Sequence, residues 1–135
     1  MTAGYSNKPL IKKLGIKSGM SVMPVNEPEH YFELLGELPG KVKLVRKSNP
    51  DPVDFIHLFA PDERTLHNQL PPLKLILKKK GMLWVSWIKK SSRRETDISE
   101  SDVRNLGLEL GLVDVKICAV DEDWSALKFM QRKKD

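Results

Sequence analysis

Hydrophobic positions along this chain fall into short extended runs separated by segments of helical spacing. The longest uninterrupted run lies within residues 81–91, Gly-Met-Leu-Trp-Val-Ser-Trp-Ile-Lys-Lys-Ser. An apolar run of strand length after a glycine fits a strand covered on both faces, which predicts a central parallel strand. It stops at Lys89, Lys90 and Ser91, so two indole rings and two ammonium groups are directed toward the carboxyl end of the strand. Open α/β sheets keep their ligand crevices at that end.

The remaining elements follow in chain order. Ser6 or Asn7 suits the cap of a leader helix with Leu10, Ile11 and Leu14 on one face and a left-handed stop at Gly15. Residues 20–25 form a first strand, and Asn26-Glu27-Pro28-Glu29 leads into a helix that carries Tyr31, Leu34 and Leu35 to Gly36. Residues 42–45 alternate with lysine and arginine, as in a half-covered strand near the sheet edge, and Pro50 and Pro52 then require a loop. Val53–Phe59 is apolar enough for a second central strand. Asp62 caps a helix whose Leu66, Leu70, Leu73, Ile76 and Leu77 share helical spacing. Pro71-Pro72 predicts a kink or two abutting segments there, and Lys78, Lys79 and Lys80 fall at its carboxyl end, where they complement the helix dipole. Residues 89–97 are polar and read as a mobile loop. Ser99 with Asp102 resembles a capping box for a helix burying Val103, Leu106 and Leu110 up to Gly111. Two extended runs, 112–120 and 124–131, joined by Asp121-Glu122-Asp123, predict an antiparallel hairpin, followed by a frayed basic tail at 132–135.

Composition narrows the class. With 135 residues, 40% hydrophobic and 30% charged, the chain reads as a single domain spanning 1–135. A chain of that size buries roughly two-thirds of the surface its unfolded form exposes. No apolar run approaches the ~20 residues of a membrane helix, and the first residues lack a signal-peptide pattern, so the expectation is a cytoplasmic protein with no membrane partner. A net charge of +5 favours anionic partners. The lone Cys118 agrees with a reducing compartment and reads as an inert buried thiol.

Four rounds of strand and helix closed by an antiparallel hairpin resemble the class I S-adenosylmethionine-dependent methyltransferase fold with one strand-helix unit missing. That resemblance implies an α/β, Rossmann-like three-layer sandwich around a mostly parallel six-stranded sheet. Its implied strand order is second, first, third, fourth, sixth, fifth, with only the sixth antiparallel. The phrases Pro9-Leu10-Ile11-Lys12-Lys13-Leu14-Gly15-Ile16, Gly81-Met82-Leu83-Trp84-Val85-Ser86-Trp87 and Gly111-Leu112-Val113-Asp114-Val115-Lys116 also look like a small bacterial family of unknown function, which implies a bacterial source and no particular activity.

The cofactor site of the larger family is where the sequence departs. That family runs its first strand into a glycine-rich turn, because only glycine lets the backbone approach the cofactor. Here the turn is Asn26-Glu27-Pro28-Glu29-His30: it has no glycine, Pro28 withdraws one amide donor, and two carboxylates would repel the cofactor's own. The acidic residue expected after the second strand is replaced by Arg46-Lys47. Both departures imply no cofactor.

Among other candidates, His57 reads as a core histidine, and His30 and His67 lie on predicted helix surfaces. No Cys/His spacing suggests a metal, and no serine sits in a glycine elbow. Trp124 reads as an anchor of the hairpin, and Asp121–Asp123 as turn chemistry, without the pattern of a calcium loop. What remains is a cationic rim at the carboxyl edge, formed by Asn26, Arg46, Lys47, Trp87, Lys89, Lys90, Arg93 and Arg94, suited to a phosphate-bearing ligand, nucleic acid or a protein partner. The expectation is a methyltransferase-like domain without an intact cofactor site, acting as a non-catalytic binding or interaction protein. The alternatives are a noncanonical S-adenosylmethionine- or nucleotide-dependent enzyme and a weak nucleic-acid binder.

Overall fold

The computed structural model describes residues 8–46 and 51–133. Its elements are α1 (Leu10–Leu14), β1 (Ser21–Val25), α2 (Tyr31–Leu35), β2 (Lys43–Leu44), β3 (Val53–Phe59), α3 (Glu63–Leu75), β4 (Leu77–Ile88), α4 (Glu100–Glu109), β5 (Leu112–Ala119) and β6 (Trp124–Gln131). The six strands form one sheet in the order β2-β1-β3-β4-β6-β5. β1 to β4 run parallel, and β6 is antiparallel to both its neighbours. This is the three-layer arrangement and strand order that the resemblance to the methyltransferase fold implied.

Each face of the sheet carries its own core. On one side α3 contributes Leu66, Leu70 and Leu73, and α4 contributes Val103 and Leu106; they pack on Met23, Ile56, Leu83, Val85 and Phe129. On the other, Leu14 of α1 and Tyr31 and Leu35 of α2 cover Val22, Phe55, Phe59, Met82 and Trp84. Successive strand residues point to opposite faces, so β4, apolar at nearly every position from Gly81 to Ile88, feeds both layers.

Local rules explain the helix ends. Gly15 terminates α1 at φ +86°, where a side chain is strained. Ser99 and Asp102 complete a capping box on α4, with the Ser99 amide donating to Asp102 Oδ2 at 2.8 Å. Gly107 of α4 lies so close to the sheet that a Cβ there would sit 2.2 Å from Cε1 of Phe129.

Several expectations change. The triple-lysine run is not the end of a helix. α3 stops at Leu75, and Lys78–Lys80 belong to β4, because the parallel register slips from Val53 opposite Leu77 to Phe55 opposite Met82. The extra residues bulge outward, Lys78 Nζ reaching Asp54 Oδ1 at 3.0 Å. Gly81 closes the bulge where a Cβ would meet the Asp54 carbonyl oxygen at 3.0 Å. α3 runs unbroken through Pro71 and Pro72. The residues whose carbonyls thereby lose a helical donor, His67 and Asn68, are exposed. β2 is two residues long rather than four. Ser6, Asn7, Lys47, Asn49, Pro50 and the last two residues of the tail lie outside the described residues. No helix among the described residues is long and apolar enough to cross a membrane.

Candidate ligand cleft at the carboxyl edge

In this topology the chain leaves β1 in one direction and returns to β3 in the other, so the topological switch point lies between the carboxyl ends of β1 and β3. Asn26 sits there, at φ 60°, a left-handed conformation that asparagine tolerates. Its Nδ2 donates to the Phe59 carbonyl at 3.3 Å and to Gln69 Oε1 at 3.0 Å, which laces the end of β1 to the end of β3 and to α3. Beside it Arg46 Nη1 donates to Glu27 Oε2 at 3.0 Å and to the Pro24 carbonyl at 3.3 Å. A small pocket of about 270 Å³ remains over this junction, lined by Asn26, Pro28, Pro61, Thr65, Gln69, Arg94 and Trp124. Small-molecule sites usually span roughly 300–1,000 Å³.

A larger open cleft of about 1430 Å³ lies over the ends of β3 and β4, toward the start of α4. Trp87, Lys89, Lys90 and Arg94 line it, together with Pro61, Asp62 and the segment from Glu95 to Asp102. The sequence-derived rim is therefore split. Trp87, Lys89, Lys90 and Arg94 meet in the large cleft, Asn26 and Arg94 share the small pocket, and Arg46 is tied to Glu27. Arg93 is exposed and lines neither. Only one of the two β4 indoles reaches the edge: Trp87 is 5% exposed, whereas Trp84 is wholly buried on the other face with its Nε1 donating to the Leu14 carbonyl at 2.9 Å.

The carboxylates of the cleft are largely committed to helix starts. Asp62 Oδ1 accepts from the Thr65 amide at 2.8 Å, and Asp97 Oδ1 from the Glu63 amide at 2.7 Å, so both close the amino end of α3. Hydrogen bonds from Thr65 hold the Asp62 carboxyl below the usual range. Asp102 completes the cap of α4, and Glu100 pairs with Arg104 at 2.8 Å. By contrast Lys89, Lys90, Arg93 and Arg94 make no ion pair among the described residues. Lys89, Lys90 and Arg94 are thus the cations of the cleft without a carboxylate partner among the described residues, alongside the exposed and equally unpaired Glu95.

The cleft-lining segment is anchored rather than loose. The Lys89 amide donates to the Asp123 carbonyl at 2.8 Å, Ser92 Oγ donates to Asp123 Oδ1 at 2.7 Å, and Thr96 Oγ1 donates to the Pro61 carbonyl at 2.8 Å. The Arg94 guanidinium lies 5.1 Å from the centre of the Trp124 ring, which itself packs edge-on against Phe59 at 5.0 Å. Asp121 shapes the turn before Trp124 by accepting from the amides of Asp123 and Trp124.

Under the edge lies a buried polar chain that pattern reading did not assemble. His57 Nδ1 is 2.9 Å from Tyr31 Oη, and His57 Nε2 is 2.7 Å from Ser86 Oγ, both bonds fully buried. Burial pushes the imidazole down to about 3, and burial together with the Glu27 charge pushes the Tyr31 phenol above its ordinary range. A serine beside a histidine can suggest a nucleophile, but here both side chains are inaccessible, so the chain is structural. Burial also raises the Cys118 thiol, against the opposing fields of Lys13 and Lys116. Among the described residues no group of three or more histidine, cysteine or acidic side chains is placed to hold a metal ion.

No protein-family model matches the sequence, and no curated protein matches it. Solved structures do resemble the fold. An S-adenosylmethionine-dependent methyltransferase from Aquifex aeolicus superposes with a TM-score of 0.61 at 18% identity, covering 88% of this chain and 86% of that one. The ribosomal protein L11 methylase of Lactobacillus delbrueckii subsp. bulgaricus gives 0.60 at 12%, covering 91% and 75%. Magnesium protoporphyrin IX methyltransferase from Synechocystis PCC 6803, solved with S-adenosylhomocysteine, gives 0.59 at 10%, covering 90% and 78%. At these identities the likeness is one of fold: the chain has a methyltransferase-like, Rossmann-like architecture.

Proposed function

We propose that this is a non-catalytic binding protein on a methyltransferase-like scaffold, working in a bacterial cytoplasm, with its ligand at the carboxyl edge of the sheet. The observation that carries the reading is the junction after β1. Asn26 is bonded across the switch point to Phe59 and Gln69, and the next residue is a carboxylate held by Arg46. A methyl donor placed there meets side chains in place of a glycine cradle, and the adjacent Glu27 carboxylate, already held by Arg46, has no donor to offer the ligand's own carboxylate. The large cleft, with unpaired Lys89 and Lys90 beside Trp87, suits a phosphate-bearing ligand instead. The free thiol of Cys118 is compatible with a reducing compartment.

A second reading, an enzyme with a noncanonical S-adenosylmethionine or nucleotide site, is favoured by the small pocket that Asn26 and Trp124 share. Thermal unfolding separates the first reading from an enzyme that uses S-adenosylmethionine. A ligand present at a hundredfold its Kd stabilises by about 2.7 kcal/mol, roughly 8–13 °C for a domain of this size. S-adenosylmethionine and S-adenosylhomocysteine are expected to leave Tm unchanged, and ATP to raise it through Lys89 and Lys90. A saturable rise with either methyl-cycle compound would replace the first reading with the second. No rise with ATP would remove the phosphate ligand.

A further inference from the structure

The hairpin face on the α1 side carries charge that the fold does not neutralise. In the sheet ladder Trp84 stands opposite Lys128, and Lys128 opposite Lys116, so the two lysines form the end of a row crossing β4, β6 and β5. Directly opposed like charges destabilise a strand pair. Burial, then the fields of Lys116 and Lys17, lower the affinity of Lys128 for its proton. Lys13, on the α1 turn that covers Trp84, acts with Lys116 on Cys118, which stands opposite Ala126 two residues further along β5. None of Lys13, Lys17, Lys116 and Lys128 pairs with a carboxylate among the described residues.

Protection of a free edge accounts for a lysine on β5, and the bulge between Asp114 and Lys116 serves the same end. It does not account for Lys128, which is on β6, paired on both sides. Four ammonium groups without a carboxylate partner, on α1, the segment after it and two strands, with Lys17 and Lys116 exposed and Lys13 and Lys128 half-buried, form an anionic-ligand surface separate from the carboxyl-edge cleft. They are donors only, so they match phosphate oxygens and cannot read base edges. The indole of that row, Trp84, is buried and offers no stacking platform of the kind single-strand binders use.

We propose that Lys13, Lys17, Lys116 and Lys128 bind the phosphate backbone of duplex nucleic acid without sequence preference. Fluorescence anisotropy with a labelled DNA duplex of about 20 base pairs, from about 50 to 200 mM salt, tests it. Four neutralised phosphates predict a slope of log K against log salt near −3.6. A single strand of the same length is expected to bind more weakly, with a shallower slope. Lys116→Gln/Lys128→Gln should flatten the duplex slope by about 2 and weaken binding roughly 50-fold at 100 mM salt. The same variant should keep or raise Tm, since a repulsive pair is removed, so a loss of binding is not a loss of fold. Lys79→Gln/Lys80→Gln, at exposed positions of the β4 bulge, should bind as the parent does. The proposal is overturned if the duplex does not bind at about 50 mM salt, if the Lys116/Lys128 variant keeps the parent slope, or if Lys89→Gln/Lys90→Gln abolishes binding instead.

Discussion

Acidification should loosen this protein through one buried ring. His57 is fully buried, with both nitrogens bonded to hydroxyls, Tyr31 Oη on one side and Ser86 Oγ on the other. Both hydroxyls can rotate to accept, so protonating the ring costs the burial of a charge rather than a lost hydrogen bond. Burial lowers the imidazole from its ordinary 6.5 to about 3. Below pH 6.5 the unfolded chain therefore takes up a proton that the folded chain refuses. The contribution is fully present above pH 6.5 and is lost at about 1.4 kcal/mol per pH unit until the folded group itself titrates near pH 3, roughly 5 kcal/mol in all. By pH 5 the loss is about 2 kcal/mol, or roughly 6–10 °C in Tm, still above the range where most carboxylates titrate. Urea unfolding of the parent and of His57→Gln at pH 7, 6 and 5 measures it. The variant should be weaker at pH 7, because two buried hydroxyls lose a partner, but its stability should change little with pH in this window. His30 and His67 remain in both proteins and cancel in the comparison. Equal pH slopes in parent and variant would refute the reasoning, as would an NMR titration placing His57 near 6.5.

Three further substitutions probe packing and local electrostatics. Gly107→Ala would gain about 1 kcal/mol of helix propensity, yet its Cβ would lie 2.2 Å from the buried Phe129 ring, so a net loss of about 1–3 kcal/mol is expected by urea unfolding, relieved in a Phe129→Leu background; unchanged or higher stability would show that α4 can shift freely. Asp54→Asn should cost about 1–2 kcal/mol in chemical unfolding, because Asp54 Oδ2 accepts from the Ser21 amide at 2.9 Å and Oδ1 meets Lys78 at 3.0 Å. Partial burial raises that carboxyl, but the Ser21 and Lys78 contacts outweigh it and hold it below its usual range, so its contribution is present at neutral pH and fades as pH falls through the acid range. Arg94→Ala removes the cation over Trp124 and should red-shift indole emission while costing under about 1 kcal/mol; an unchanged spectrum would mean the ring is shielded by other atoms.

Much of the frame was legible in the sequence because strand ends carry strong punctuation. Val53–Phe59 lies between Pro52 and Ala60-Pro61, and Trp124–Gln131 follows an acidic turn, so both strands appear with the expected bounds. The start of β4 was not legible. Leu77–Lys80 has the composition of a helix end, and only the pairing of Leu77 with Val53 and the Gly81 bulge hold it extended. Part of the edge followed directly from a strand end: Trp87, Lys89 and Lys90 enter the cleft because β4 stops there. The opposite contribution, Asp62, Thr96 and Asp97, comes from the start of α3 and from the segment ahead of α4, which converge only in three dimensions. Sequence signals marked Asp62 as a cap and nothing more. The same holds for Tyr31, His57 and Ser86, which lie 26 and 29 residues apart along the chain and meet only through the parallel stacking of β3, β4 and α2.

The turn that follows β1 decides between a binding scaffold and a methyl-transfer site. Calorimetric titration of the whole protein with S-adenosylhomocysteine, repeated on an Asn26→Gly variant, addresses it most directly. No saturable heat is expected up to about 1 mM ligand in the parent, corresponding to binding weaker than about −4 kcal/mol. A micromolar Kd in the parent, lost when Asn26 or Arg94 is replaced, would contradict it.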